Sequence, residues 1–494
     1  MPEPSLILLR LSGELSTKAK ATRRQFVTRL LRNLRDALDE TGHGYRVERR
    51  YERILVELED ATDLPRLGRL FGLQSLAPAE RQEVRTLDEV VDHGERIFGA
   101  AVEGRRFAVR ARTVGTDAVP GVRGHDVEIA LGARLLPRAA RVDLSTPEVT
   151  ARIELYGNAA YFFRENLPCP GGLPLGTGDR AISLVSGGFD SAVASWQMLR
   201  RGVNLDYVFC NLGGFSHQLG TLRVMQVLAQ GWSFGTRPRL HAIDFSAVTR
   251  ELQRVAEPRY WQVILKRLML RAADAVAEQA GAHAIITGEA VGQVSSQTLV
   301  NLRTISEATD YPILRPLVGS NKDEIIRRAE EIGTAELSAV VGEYCALVPR
   351  RPATAAKLDV ILEQEKGMDI AVLERAIEDR EILALRSLDP EACGMPEIET
   401  DRVPEGARVV DLRTRHEYES WHFPGALRLG FSSAVEAYPS FAKDQPYVLY
   451  CEYGLKSAHL AEMMRSAGHR ALHFRGGTRA LRRWAEEKGI KEES

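Results

Sequence analysis

Residues 186–191 of this chain are Ser186-Gly187-Gly188-Phe189-Asp190-Ser191. The apolar run before them, 181–185, predicts a buried parallel strand, and the helical pattern after them ends at Gly202. A glycine loop between a strand and a helix makes an anion site, because its N–H groups and the helix dipole face the bound charge. Ser186 and Ser191 add hydroxyl donors. Since Asp190 would repel a phosphate unless a cation lay between them, we interpret it as a Mg²⁺ ligand.

A Gly-Gly turn alone would also suit an ordinary connection between a strand and a helix, so the complete string carries the inference. The S-G-G-x-D-S string resembles the pyrophosphate loop of ATP pyrophosphatases, which split ATP into AMP and pyrophosphate to adenylate a carbonyl oxygen. It differs from the G-x-x-x-x-G-K-[ST] loop, so transfer of the γ-phosphate is disfavoured. The resemblance implies an enzyme that uses ATP to activate its substrate.

The length and composition indicate a multidomain globular protein. A chain of 494 residues is too long for one core and suggests roughly three or four domains. Its 44% hydrophobic and 27% charged residues are typical of soluble proteins. The short apolar run 6–9 predicts a first strand rather than a signal peptide, and no run reaches the length of a membrane span. We therefore expect a cytoplasmic protein with no membrane partner.

The five cysteines indicate individual thiols rather than a scaffold. They are Cys169, Cys210, Cys345, Cys393 and Cys451. So few in a chain of this length do not make a disulfide framework. None forms a C-x-x-C pair, so a zinc or iron–sulfur site lacks support.

Positive charge is concentrated in the first part of the chain, although the net charge is only −1. Residues 10–53 hold twelve Lys and Arg against six Asp and Glu, and residues 105–141 hold eight against three. One such stretch would suit a solvated surface, but two favour a polyanionic partner, nucleic acid above all. Arg105, Arg106 and Arg110 are our candidate RNA-binding residues.

The first half of the chain mixes strands and helices and carries no catalytic motif. Strands are expected at 6–11, 45–58, 107–112 and 149–155, and helices at 22–38, 65–71 and 87–98. We predict that this half binds rather than catalyses.

A connector rich in Pro and Gly, 168–178, leads into a βαβ alternation. Strands are expected at 182–185, 207–211, 240–245 and 284–287, with a long helix at 261–280. This pattern predicts a doubly wound parallel sheet with the phosphate loop at the carboxyl end of its first strand. An acidic, proline-containing linker then precedes strands at 409–411 and 447–450, which predict another small α/β domain.

Cys451 lies between the apolar strand 447–450 and a helical pattern at 457–466. The loop after it can wrap N–H groups around the sulfur, and Lys456 adds positive charge, so that a thiolate or persulfide would be stabilised. An inert buried cysteine is the alternative. The surrounding pattern resembles the first half of a rhodanese domain: Asp411-Leu412-Arg413…Glu417-Tyr418…Trp421-His422-Phe423-Pro424-Gly425-Ala426. This resemblance favours a catalytic Cys451, with structural roles for Asp411 and the region of His422.

Together, the phosphate loop, the basic first half and the rhodanese pattern resemble the ThiI family of tRNA 4-thiouridine synthetases, in its long form with a rhodanese extension. The strings 171–174, 287–297 and 343–345 match as well. The resemblance implies a ferredoxin-like domain at 1–60, an RNA-binding THUMP domain at 61–166, a PP-loop ATP pyrophosphatase domain at 175–388, an acidic linker at 389–403 and a rhodanese domain at 404–490.

The resemblance also implies site residues where the strings match. It assigns ATP binding to Leu184, Val185, Ser186, Gly187, Gly188, Asp190, Ser191, Lys266, Gly288 and Gln297. It gives Lys322 a role in catalysis at the adenylated centre, although Lys322 and Asp323 would also begin an ordinary helix. It makes Cys451 the persulfide carrier and Cys345 the resolving thiol, which ends in a disulfide with Cys451.

The implied reaction has three stages. A pyridoxal-phosphate-dependent cysteine desulfurase loads sulfur onto Cys451, and Mg²⁺–ATP adenylates the 4-oxygen of a tRNA uridine at position eight. Sulfur then replaces that oxygen, directly or through released sulfide. AMP and pyrophosphate leave, and no tightly bound organic cofactor is expected.

Other functions stay open at this point. An amidating PP-loop synthetase would need an ammonia-generating domain, whereas this chain carries a sulfur-carrying one. A sulfur carrier for thiazole synthesis, with a carrier protein of thiamine synthesis as partner, would use mainly the rhodanese module and can coexist with tRNA thiolation. A non-enzymatic RNA-binding protein would leave both reactive loops unexplained. The sequence does not fix the desulfurase or the oligomeric state, a homodimer included.

Overall fold

The computed structural model describes residues 5–50, 53–115, 121–341, 351–388 and 398–490. Within these ranges the strands form four sheets, and the chain divides into two compact units. The first unit comprises residues 1–178 with the segments 200–202 and 234–236, and the second comprises the rest. No helix in the described ranges is both long enough and apolar enough to cross a membrane.

The first unit carries the elements of two sheets. In chain order they are β1 (Ser5–Leu11), α1 (Gly13–Ser16), α2 (Lys20–Asp39), β2 (Tyr45–Arg50), β3 (Arg53–Leu58), α3 (Leu64–Leu67), β4 (Leu73–Pro78), β5 (Glu80–Glu83), α4 (Leu87–Phe98), β6 (Arg106–Thr113), α5 (Gly124–Leu135), β7 (Arg141–Val142), β8 (Val149–Tyr156), β9 (Ala159–Phe163) and β10 (Leu167–Pro168). The predicted strand at 6–11 and helix at 22–38 are confirmed, and residues 45–58 form two strands instead of one. The helix predicted at 65–71 is shorter and spans Leu64–Leu67.

The first sheet is antiparallel, with the order β10-β4-β1-β3-β2. Helix α2 packs on it because Leu30, Leu34 and Leu38 share one face of the helix and are buried with Ile7 and Val56. Strands β4 and β10 belong to this sheet although they follow residue 60, where the first domain was predicted to end. Strands that are distant in sequence can pair, so a boundary read from the sequence can miss them.

The second sheet has the order β5-β9-β8-β6-β7 and mixes parallel and antiparallel pairs. Helices α4 and α5 supply apolar side chains to its core. They approach closely at Gly94, where a Cβ would lie 2.7 Å from Leu131 Cδ2. The predictions at 87–98, 107–112 and 149–155 are confirmed.

The second unit begins with the elements of the phosphate-loop sheet. They are β11 (Arg180–Val185), α6 (Phe189–Arg200), β12 (Asn204–Asn211), α7 (Gly214–Trp232), β13 (Arg239–Asp244), α8 (Ser246–Val255), α9 (Trp261–Ala280), β14 (Ile285–Ile286), α10 (Leu299–Ser306), β15 (Ile313–Leu314), α11 (Lys322–Ile332), α12 (Ala335–Val340), α13 (Leu358–Glu365), α14 (Ala371–Glu378) and β16 (Glu381–Ala384).

This sheet has the order β15-β14-β11-β12-β13-β16, and every neighbouring pair is parallel except β13 with β16. The chain builds β12 and β13 on one side of β11 and then crosses to build β14 and β15 on the other. The carboxyl end of β11 therefore lies at the point where the strand order reverses, which is where doubly wound sheets bind ligands. The predicted doubly wound parallel sheet is confirmed, with one antiparallel edge strand.

The second unit ends with a parallel sheet of the order β17-β21-β20-β18-β19. Its elements are β17 (Glu399–Thr400), β18 (Arg408–Asp411), α15 (Arg415–Ser420), β19 (Leu427–Arg428), α16 (Phe431–Ala437), β20 (Pro446–Tyr450), α17 (Leu455–Ser466), β21 (Arg470–Phe474) and α18 (Gly477–Glu487). The strands predicted at 409–411 and 447–450 are confirmed. Of the predicted linker, 389–397 lies outside the described residues. Residues 399–400 are instead an edge strand, because Ile398 is buried and Glu399 pairs with His473.

Candidate functional site

The loop between β11 and α6 is held in shape by Ser191. Its hydroxyl donates to the carbonyl of Gly188 (3.1 Å) and accepts from the backbone N–H of Ser186 (3.3 Å). Gly187 has a φ of +75°, and a Cβ there would lie 2.8 Å from Thr221 Oγ1. Only glycine suits this position.

A cavity of about 250 Å³ opens beside this loop. Eight of the ten residues that were predicted to bind ATP line it: Leu184, Val185, Ser186, Asp190, Ser191, Lys266, Gly288 and Gln297. The other two, Gly187 and Gly188, form the turn of the loop. Gly288, in the segment after β14, lets that segment approach the phosphate loop closely, since a Cβ there would lie 2.8 Å from the backbone nitrogen of Ser191. No described protein group bonds to the buried Gln297 Oε1, which leaves an acceptor for a ligand.

Glu289 also lies at this cavity, although it was not among the residues predicted for the site. It is buried at this cavity and accepts from Lys266 Nζ (2.9 Å) and Arg315 Nε (2.8 Å). Burial opposes its ionisation, but the two cations hold the pKa of Glu289 below its ordinary value. Lys266 is therefore fixed at the cavity by a buried carboxylate. A carboxylate soon after strand β14, at the carboxyl edge of the sheet, is the signal that could have identified it.

Asp190 lies at the start of helix α6 and is paired with Lys322. Its two carboxylate oxygens accept from Lys322 Nζ at 2.9 and 3.0 Å, and Gln293 donates to the second oxygen at 3.0 Å. Lys322 is the first residue of α11, whose start is fixed by a capping box of Asn321 and Glu324. The two residues predicted for metal binding and catalysis are thus brought into direct contact.

Asp190 fits Mg²⁺ as one ligand of several. Mg²⁺ is typically held by one or two carboxylates together with phosphate oxygens and water. In the described part of the chain, no group of three or more His, Cys, Asp or Glu side chains could hold a metal. The carboxylate suits an ion that arrives with nucleotide phosphates rather than an ion that the protein holds alone.

Cys451 lies at the carboxyl end of β20 and is 3% exposed. Its sulfur is 3.6 Å from the hydroxyl of Ser457, which itself donates to the carbonyl of Gly454 (3.0 Å). The loop between β21 and α18 packs against Cys451 at Gly477, where a Cβ would lie 2.6 Å from the carbonyl oxygen of Cys451. The thiol is therefore held in a narrow, defined cradle.

A second cavity, of about 420 Å³, contains Cys451. Arg413, Arg428 and Lys456 line it together with the carboxylates of Glu417 and Glu452. Arg413 is fixed by the buried Asp411, whose Oδ2 lies 2.7 Å from its Nη2. Burial opposes its charge, but this carboxylate raises the pKa of Arg413 overall. One wall comes from Val340 of helix α12, which belongs to the phosphate-loop part of the unit.

Family models match the regions that contain both cavities. A model of the thiamine biosynthesis protein (ThiI) family matches residues 176–370, a ThiI ferredoxin-like domain matches 6–77, and a rhodanese-like domain matches 397–483. A tRNA sulfurtransferase of Pyrobaculum aerophilum is 38% identical over 469 residues, which cover 94% of this chain and 95% of that protein. The chain belongs to the ThiI family of tRNA sulfurtransferases.

A further relative and a solved structure are similar over most of this chain. A tRNA sulfurtransferase of Desulfurococcus amylolyticus is 34% identical over 97% of this chain and 99% of its own length. The crystal structure of a 4-thiouridine synthetase in complex with RNA and ATP is 29% identical, with a TM-score of 0.67, and covers 77% of this chain and 99% of its own. The predicted family and fold class are confirmed.

The cysteines of this ThiI member differ in setting. Burial raises the pKa of the Cys169 and Cys210 thiols, to about 12 for Cys169, which disfavours the nucleophilic thiolate at both positions. Cys345 and Cys393 lie outside the described residues. The last described residue before Cys345 is Val341, whose Cγ1 would be 3.2 Å from a Cβ on Gly187.

The arginines predicted to bind RNA lie on or beside strand β6. Arg106 donates to Asp143 (3.3 Å) and Glu148 (3.1 Å), and Arg110 donates to the carbonyl of Leu144 (2.7 Å). Arg105 and Arg110 are exposed. These bonds hold the loop at 143–148 while leaving the guanidinium groups at the surface.

A second arginine cluster in the first unit was not predicted. Arg10, Arg53 and Arg112 converge on the buried Glu154, at distances of 2.8 to 2.9 Å. Burial opposes the ionisation of Glu154, but these guanidinium groups lower its pKa. Three cations share one anion, and Arg112 is half exposed. Arg10 and Arg53 are cross-strand partners, a pairing that local sequence does not reveal.

Proposed function

We propose that this protein is an ATP-dependent sulfurtransferase that converts a tRNA uridine, at position eight, into 4-thiouridine. The observation that carries the proposal is the presence, in one compact unit, of a phosphate-loop cavity and a rhodanese cavity that contains Cys451. Full-length relatives bear the name tRNA sulfurtransferase, and the similar crystal structure is a complex with RNA and ATP. A cysteine desulfurase is the proposed sulfur donor.

The first step loads sulfur onto Cys451. A desulfurase persulfide gives its outer sulfur to the Cys451 thiolate, which becomes a persulfide as the donor thiolate leaves. Three cations, Arg413, Arg428 and Lys456, and two carboxylates, Glu417 and Glu452, line the cavity in which this exchange takes place. Because Cys451 is buried, the cavity limits access of other thiols to the persulfide.

The second step activates the uridine. Its 4-oxygen attacks the α-phosphorus of ATP, and pyrophosphate leaves. The glycine loop binds the phosphates, and Lys266, held by Glu289, presents its ammonium group to them. Asp190 would hold the Mg²⁺ that accompanies ATP, an ion that neutralises charge on the departing pyrophosphate. Release of Lys322 from Asp190 would then free its ammonium group for the adenylated centre.

The third step exchanges oxygen for sulfur. In the direct route, the outer sulfur of the Cys451 persulfide attacks C4 of the uridine and AMP leaves. The Cys345 thiolate then attacks the sulfur of Cys451, so that C4 keeps its sulfur and a disulfide forms. In the sulfide route, Cys345 first displaces HS⁻ from the persulfide, and HS⁻ attacks C4. Both routes need an external thiol reductant to restore the two cysteines.

The position of Val341 supports the role of Cys345. Val341 lies against the phosphate loop at Gly187 and near Leu455, four residues after Cys451. Cys345 follows Val341 by four residues, which span at most about 14 Å. That length is compatible with a reaction at either centre.

The test is a reconstitution with purified protein, desulfurase, cysteine, ATP and unmodified tRNA. We expect pyrophosphate release only when tRNA is present, and 4-thiouridine only when the desulfurase is also present. Replacing Cys451 with alanine should abolish thiolation and leave pyrophosphate release. Pyrophosphate release that does not require tRNA would contradict the proposal.

The description of the matching family model favours a second role, as a sulfur source for the thiazole of thiamine. Such a role would use the Cys451 persulfide and a sulfur-carrier protein, without adenylation of tRNA. A strain that carries the Asp190→Ala variant should then lack 4-thiouridine yet grow without added thiamine. Thiamine dependence of that strain would argue against a separate role.

A further inference from the structure

We propose that Glu462 and Glu336 are positioning residues, which hold the rhodanese domain on helix α7 so that Cys451 delivers its sulfur at the phosphate loop. The proposal rests on the proposed function and adds the geometry of transfer. Each carboxylate belongs to a different part of the second unit: Glu462 to α17 of the rhodanese domain, and Glu336 to α12 of the phosphate-loop domain.

The first contact is made at the start of helix α7. Glu462 accepts from the backbone N–H groups of Phe215 (2.9 Å) and Ser216 (3.2 Å). These amides belong to the first turn, where they have no partner inside the helix and where the helix dipole favours negative charge. Gly214 keeps this site open, because a Cβ there would lie 3.0 Å from Glu462 Oε1. The rhodanese domain thus supplies the anionic cap of a helix in the other domain.

The second contact is made by the loop that carries the reactive thiol. Tyr453, two residues after Cys451, donates its hydroxyl to Glu336 Oε2 at 2.8 Å, and its carbonyl accepts from Arg223 of α7. The bond to Glu336 raises the pKa of Tyr453 to about 12, so the phenol keeps its proton at neutral pH. The loop is therefore tied to both α7 and α12.

These contacts bring the two reactive loops to the same turn of α7. A Cβ on Gly220 would lie 3.9 Å from Leu455 Cδ2, at the end of the Cys451 loop. The next residue, Thr221, lies against the phosphate loop, where a Cβ on Gly187 would be 2.8 Å from its Oγ1. Adjacent positions of one helix therefore face the sulfur-carrying loop and the ATP-binding loop. When the rhodanese domain is docked on α7 in this way, the effective concentration of the persulfide at the adenylated uridine is raised.

The test separates sulfur loading from sulfur transfer in the full-length protein. The variants are Glu462→Lys, which places a cation at the α7 start, and Glu336→Ala, and neither residue lines the ATP or Cys451 cavity. The matched control is Glu486→Ala, which removes a glutamate that pairs with Arg482 on its own helix. Sulfur loading is followed with radiolabelled cysteine and desulfurase, and transfer is followed as 4-thiouridine formed in one turnover.

We expect Cys451 loading and tRNA-dependent pyrophosphate release to match the wild type, while single-turnover transfer falls by about tenfold or more. Glu462→Asp keeps the carboxylate and should recover most of the transfer rate. Transfer at the wild-type rate in both Glu462→Lys and Glu336→Ala overturns the proposal. The proposal is also overturned if the variants lose Cys451 loading and sulfur transfer by the same factor, because that result would indicate damage to the rhodanese domain.

Amide exchange provides an independent readout of docking. In the wild type the Phe215 and Ser216 amides should be protected, and in Glu462→Lys they should exchange faster while strand β20 stays protected. Equal exchange in both proteins overturns the proposal, because the carboxylate is then not docked in solution. If the wild type forms no 4-thiouridine, the proposed function itself fails. If it does and the variants match it, only the docking proposal fails.

Discussion

Lys322 Nζ lies 2.9 Å from Asp190 Oδ1, so the lysine proposed for catalysis and the carboxylate proposed for Mg²⁺ form one ion pair. Each residue holds the other in place at the edge of the phosphate loop. Binding of a nucleotide with its cation would replace Lys322 as the partner of Asp190. This exchange links nucleotide binding to the release of an ammonium group.

Asp190→Ala should abolish tRNA-dependent pyrophosphate release and leave sulfur loading of Cys451 intact. Asp190 is assigned to the geometry of cation and phosphate, whereas loading takes place in the other cavity. Pyrophosphate release and persulfide labelling measured on the same preparation check this. Normal pyrophosphate release by the variant would refute the assignment.

Glu289→Gln should weaken ATP binding and destabilise the phosphate-loop domain. The amide keeps the shape but leaves Lys266 and Arg315 without their shared anion, at a cost of about 3 kcal/mol at neutral pH. The folded-state pKa of Glu289 lies below its ordinary 4.5, so its stabilisation is present above that pH and is lost as the pH falls through the folded-state value.

Thermal unfolding of wild type and Glu289→Gln across pH checks this sign. The difference in Tm between wild type and Glu289→Gln should be largest near neutral pH and should become smaller below about pH 4.5. A difference that grows on acidification would show that the carboxylate is not ionised in the folded protein.

These residues show what local sequence can predict. The phosphate loop and the Cys451 loop are contiguous strings between a strand and a helix, so their chemistry follows from order along the chain. The pair of Asp190 and Lys322 spans 132 positions, and the partners of Glu289 come from α9 and from the segment after β15. Strand order, which composition does not encode, creates those contacts. Only the family resemblance pointed to Lys322 and Lys266.

Non-local strand pairing also explains the strand that lies within the predicted linker. The acidic, proline-containing composition around 389–403 predicted a linker, yet residues 399–400 pair with β21 because Ile398 finds a buried position. The arginine cluster on Glu154 was likewise hidden. Its members lie on three strands that only the fold brings together.

Binding of tRNA should depend on phosphate contacts and therefore weaken steeply with added salt. Neutralising Arg105, Arg106 or Arg110 should lower the slope of log affinity against log salt by about one per lost contact, and Arg112→Gln should do the same. The control is Arg254→Gln, which removes an exposed arginine of the second unit that pairs with Glu251. Affinity that does not change with salt would show that these arginines only solvate the surface.

The two reactive cysteines should fail at different steps. Cys451→Ala should lose both sulfur loading and thiolation, because the acceptor is needed first. Cys345→Ala should still load sulfur on Cys451 but lose multiple-turnover thiolation, because the resolver is needed during or after transfer. After one turnover, non-reducing peptide mapping should join Cys345 to Cys451. A bond from Cys451 to Cys169, Cys210 or Cys393 would show that Cys345 is not the resolver.

The most direct measurement is mass spectrometry of tRNA from a strain that lacks this protein, complemented with the wild type or with Cys451→Ala. We expect 4-thiouridine at position eight to be absent from the deletion strain, to return with the wild type and not to return with Cys451→Ala. Normal 4-thiouridine in the deletion strain, or its full recovery with Cys451→Ala, would contradict sulfur transfer through this cysteine.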